Sequence, residues 1–83
     1  MGKDFFTNRE TQSLNANMNA SSERISELIK MSGLTDREIA EQMNISVQCV
    51  NLWRHGKRFP EYGNLYFLSR ILGVTVDDFF VAV

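Results

Sequence analysis

Apolar residues recur along this chain at helical spacing, in short runs divided by single turn-forming residues. In "SSERISELIKMSG", Ile25, Leu28 and Ile29 lie three and four positions apart, so one stripe faces a core. Ser21 or Ser22 suits the cap of this helix, and Gly33 suits its left-handed stop. "LTDREIAEQMN" then starts again at once. Thr35 and Glu38 have the spacing of a capping box, and Leu34 and Ile39 that of a hydrophobic staple. Ile39, Ala40 and Met43 point inward, while Arg37, Glu38, Glu41 and Gln42 point out. Asn44 stands where a left-handed residue closes the helix. Ile45 and Ser46 repeat the staple and cap, with Ile45 paired to Val50. The following helix buries Val50 and Trp53, and Gly56 ends it. After the loop "KRFP", Pro60 suits the beginning of another helix. "EYGNLYFLSRILG" puts Tyr62, Leu65, Leu68, Ile71 and Leu72 on one face, and Gly73 closes it. In "TVDDFFVAV", Thr75 caps a fifth helix with acids in its first turn. The pattern predicts an all-α fold of five short helices with no strand.

Two of these helices are separated by only about three residues, which is the layout of a helix-turn-helix over residues 36–55. A turn that short makes the pair one rigid unit. The second helix can then enter a DNA major groove while the first crosses the backbone. Ala40 is small because it lies where the two helices approach. Residues 1–20 show no sustained period and are rich in Asn, Thr and Ser. They read as a flexible, disordered arm, followed by a single domain over residues 21–83.

Composition narrows the function classes. The chain has 83 residues, 43% of them apolar, which is one domain with a small core. Cys49 is the only cysteine, so no internal disulfide forms and no metal-ligand spacing exists. No apolar run approaches the roughly 20 residues of a membrane span, and no secretion signal is visible. A cytoplasmic protein with no membrane contact, no metal and no cofactor is expected. The net charge is −1, but Arg54, His55, Lys57 and Arg58 fall together at the end of the third helix. A field can be locally positive on a net acidic chain.

The chain from Ser22 to Phe80 resembles the Cro/C1-type helix-turn-helix family, the phage-repressor-like (XRE-type) DNA-binding domains. The resemblance rests on "ISELIKMSGLTDREIAEQMNIS", the "LW" before "RHGKRFP", and "LYFLSRILGVTVDDFF", in that order. It implies a compact five-helix, lambda-repressor-like DNA-binding domain and a usual role in transcriptional repression. It also implies that the outward face of the third helix reads bases: Ser46, Val47, Gln48, Asn51 and Leu52. Gln48 is the best candidate for a bidentate contact to adenine. Asn51 can do the same or bond a phosphate, and Val47 and Leu52 can pack on thymine methyls. Arg54, His55, Lys57 and Arg58 are the expected phosphate contacts, with Arg37 reaching the flanking backbone. The chain departs from the family where Asp36 replaces a frequent Gln, Arg54 a frequent Glu, and Asn44 the usual Gly.

Other readings of single residues are weaker. Trp53 shares the spacing of Val50, so it belongs to the core and is no base-stacking platform. His55 has no acid or nucleophile at a recognisable spacing, and Asp77 and Asp78 are adjacent rather than a spaced pair. No enzyme is expected. Phe59, Phe67, Phe79, Phe80 and Val83 exceed what so small a core needs, and they are the candidate dimer surface. The expected protein is a homodimeric repressor of phage or mobile-element kind, binding double-stranded DNA at an operator. The alternative is a protein-interaction module on the same fold, with an antitoxin-like or anti-repressor partner.

Overall fold

The computed structural model describes residues 17–82, and every element in it is helical. Helix α1 spans Met18–Ser32, α2 Asp36–Met43, α3 Val47–Arg54 and α4 Tyr62–Leu72, and a single 3-10 turn, Val76–Phe79, closes the order. The expected fifth helix is therefore one turn. Its Thr75–Asp78 capping box is present, but Phe79 drops into the core and Phe80 leaves with extended backbone.

Each element contributes to one core. Ile25 and Ile29 come from α1, Ile39 and Ala40 from α2, Val50 and Trp53 from α3, Leu65 and Leu68 from α4, and Phe79 from the 3-10 turn. Trp53 is 1% exposed, which fixes its role as a packing residue. Tyr62, expected on the buried face of α4, is 83% exposed. It is the first residue of that helix and precedes the turn that reaches the core.

The first helix begins earlier than expected. Asn17 is its cap, with Oδ1 accepting from the Ala20 N–H at 3.0 Å. Neither Ser21 nor Ser22 caps it. Ser21 is fully buried, and its Oγ accepts from the Val81 N–H at 2.9 Å. The Asn17 N–H in turn donates to the Val81 carbonyl at 2.7 Å. The end of the domain is thus laced to the start of α1. Asn17 and Met18–Ala20 of the expected arm thus cap and begin that helix, and residues 1–16 lie outside the described residues.

The α2–α3 junction is built from local signals. Thr35 and Glu38 form the capping box. Asn44 holds φ 58°, ψ 47°, and it is the described non-glycine residue with positive φ. Its N–H donates to the Glu41 carbonyl, and the Ile45 N–H to the Ala40 carbonyl at 3.1 Å, which is a Schellman closure. One residue later Ser46 caps α3, accepting from the Cys49 N–H at 3.1 Å. Gly56, at φ 70°, closes α3 in the same way, with the Lys57 N–H donating to the Leu52 carbonyl at 2.9 Å.

Candidate nucleic-acid interface

Helix α3 buries Val50 and Trp53 and turns Val47, Gln48 and Asn51 outward. Positions 47, 48 and 51 are neighbours on a helix surface, so they form one patch. Val47 is 44% exposed, an apolar residue that faces outward among the described residues. Ser46 is exposed and already accepts one hydrogen bond as the cap. Leu52 is half-buried, at the edge of the patch rather than in its centre.

The cations divide into two groups. Arg37, His55, Lys57 and Arg58 are exposed, the last three just beyond the end of α3. Arg54, the other expected phosphate contact, is half-buried and engaged within the protein. Its Nε donates to Asp36 Oδ1 at 2.6 Å, and its Nη2 donates to the Leu34 carbonyl at 2.7 Å. Its side chain is 22% exposed and that of Asp36 18%. The charge is matched internally, and Arg54 straps the start of α2 to the end of α3. The Ser26 hydroxyl donates to the Arg54 carbonyl, which ties the same point to α1.

Asp36 also accepts from Asn51. Nδ2 of the amide lies 3.1 Å from Asp36 Oδ2. Partial burial works against the charge on Asp36. The hydrogen bonds from Arg54 and Asn51, with the positive charges of Arg54 and His55, outweigh it and hold the carboxyl below its ordinary value. Read alone, Asp36 is an acid beside the expected phosphate contacts. In place, it is a neutralised strut. Sequence reading singled out both Asp36 and Arg54 as departures but did not pair them. The available signal was their opposite sign at positions on two helices that must touch.

The candidate dimer residues separate as well. Phe79 is 0% exposed and belongs to the core, so it is removed from that surface. Phe59 is half-buried and packs against Phe80, with ring centroids 5.4 Å apart. Phe67 is 58% exposed, and Tyr66 and Tyr62 extend the same exposed aromatic face of α4. The Arg70 guanidinium lies 5.8 Å from the Tyr66 ring centroid. Val83 lies outside the described residues.

Among the described residues no group of His, Cys, Asp and Glu has the arrangement of a metal site. None of the described helices is long and apolar enough to cross a membrane.

Two packed helices, a left-handed turn between them and an outward polar face on the second define a helix-turn-helix protein. The helix-turn-helix family matches residues 25–79, most of the chain, and the chain belongs to that family in its Cro/C1-type form. It is similar to the HTH-type transcriptional activator BcrR of Enterococcus faecalis, with 30% identity over 56 residues. That match covers 68% of this chain and 28% of the relative, so the chain spans less than a third of that protein's length. No solved structure gives a significant match.

Proposed function

We propose that this protein is a sequence-specific, double-stranded DNA-binding regulator of transcription that works by occupying an operator. The observation that carries this reading is the exposed Val47–Gln48–Asn51 patch on α3, flanked by His55, Lys57 and Arg58. A groove-reading face needs side chains with donor and acceptor pairs, and Gln48 and Asn51 supply them. Phosphate clamps are needed beside it, and the loop after α3 supplies them. The sign of regulation we propose is repression, by steric exclusion of polymerase. The relative is named an activator, so the fold alone does not set that sign.

The protein binds as a homodimer through the aromatic face of α4. One domain of this size covers too little DNA for high specificity, and a two-fold dimer reads half-sites about one helical turn apart. A second reading, a protein-interaction module, is favoured by the exposure of Tyr62, Tyr66 and Phe67. Operator selection from a random duplex pool separates the two. We expect a pseudo-palindromic site, with Gln48→Ala weakening discrimination at one base pair per half-site by about 1–3 kcal/mol. Failure to enrich any sequence, with a second protein co-purifying instead, would favour the interaction module.

A further inference from the structure

Asn51 has two chemically opposite ends, and which one faces outward decides what it can read. A carboxylate only accepts hydrogen bonds. The atom of Asn51 facing Asp36 Oδ2 at 3.1 Å is therefore its NH2 group. Asp36 cannot swing away, because its other oxygen accepts from Arg54 Nε at 2.6 Å and Arg54 is held in turn by the Leu34 carbonyl at 2.7 Å. Asn51 is thereby left with its carbonyl oxygen and one N–H free on the exposed face, next to Gln48 and Val47.

We infer that Asp36 is a positioning residue for base recognition: through its bond to the Asn51 amide it turns the Asn51 carbonyl outward, so that Asn51 selects a base carrying an exocyclic amino group. In the major groove those bases are adenine, through N6, and cytosine, through N4. Guanine and thymine present only acceptors there: the remaining Asn51 N–H can meet one of them, but the outward carbonyl beside it then faces a second acceptor or goes unpaired. The inference rests on the DNA-binding reading of α3 and assigns the base class that one of its residues takes.

A nearly isosteric change inverts the outcome. In Asp36→Asn, Arg54 Nε still requires an acceptor and takes the new side-chain oxygen. The new NH2 group then faces Asn51, which must turn its own carbonyl inward to accept. Its NH2 group now points outward and suits guanine or thymine. The Thr35–Glu38 capping box does not involve residue 36, so the helix start is kept.

The test uses the full chain and operators selected from a random duplex pool with the unaltered protein. The position read by Asn51 is the one where Asn51→Ala abolishes discrimination. At that position the adenine or cytosine is replaced by its analogue lacking the exocyclic amino group. For the unaltered protein we expect about a tenfold loss of affinity on removing one amino group. For Asp36→Asn we expect less than about a twofold loss, with reselected operators carrying guanine or thymine on the contacted strand. Should Asp36→Asn melt before binding is measured, Asp36→Ala leaves the amide free to rotate and is expected to shrink the amino-group effect in the same direction. The inference is overturned if Asp36→Asn binds all sequences more weakly but keeps the same amino-bearing base. It is also overturned, alone, if Gln48 reads a base pair and no position depends on Asn51. If the unaltered protein enriches no sequence, the DNA-binding reading fails with it.

Discussion

Asp36 and Arg54 each look misplaced when read singly, and each is explained by the other. The pair also carries a pH signature. Asp36 is held below its ordinary value of 3.8 in the folded chain. Between the folded and unfolded values the unfolded chain binds more protons, so stability rises with pH across that window. The stabilisation is complete above the ordinary value and is lost as pH falls through the lower folded one. Thermal melts of the unaltered protein and Asp36→Asn should therefore differ near neutrality and converge in strong acid. Phe79 and Phe67 give a second contrast. Phe79→Ala should destabilise by about 3–5 kcal/mol in urea melts, while Phe67→Ala should leave the midpoint nearly unchanged at concentrations where the chain is monomeric. Their side chains are identical, so composition could not separate them. Phe79 is buried because the Thr75 cap turns the chain inward one residue before Phe80, a difference of direction that local hydrophobicity does not encode.

At the scale of elements, most boundaries were legible because each is marked by short-range chemistry. The Thr35–Glu38 box, Asn44, the Ser46 cap and the stops at Gly33, Gly56 and Gly73 all lie where the pattern put them. The failures came where a distant segment decides. Ser21 has the chemistry of a cap, but Val81, sixty positions away, takes its hydroxyl, and the helix extends back to Asn17. The last helix shrank to one turn for the same reason, since packing of Phe79 outweighs continuation. Asn44 supplies a test of the turn. Asn44→Val should lose about 1–2 kcal/mol of stability, because a branched side chain is strained at φ 58°. Asn44→Gly should be neutral or slightly stabilising by the same denaturant melts.

Across the whole molecule, charge is distributed rather than abundant. The net charge is −1, yet His55, Lys57 and Arg58 stand exposed beside the outward patch of α3, and Asp36 is neutralised behind it. The third-helix face was legible because Val50 and Trp53 fix which side is buried. The engagement of Arg54 with Asp36 was not, because it depends on a partner on another helix. Lys57→Ala or Arg58→Ala should weaken binding to all duplexes alike and reduce the salt slope by about 1 each. The aromatic face of α4 lies away from this chemistry in the chain. Phe67→Ser should shift the protein toward monomer in sedimentation experiments and remove the dependence of its melting temperature on protein concentration.

The most direct measurement is fluorescence anisotropy of the protein on a labelled random-sequence duplex, titrated with salt. If the α3 face and its loop meet the phosphate backbone, binding is present at low salt and falls steeply, with a slope of about −0.9 per phosphate neutralised. We expect that fall, and a shallower one for Lys57→Ala. No binding at low salt, or binding indifferent to salt, would contradict the placement of DNA on this face and leave the aromatic surface of α4 as the working part of the molecule.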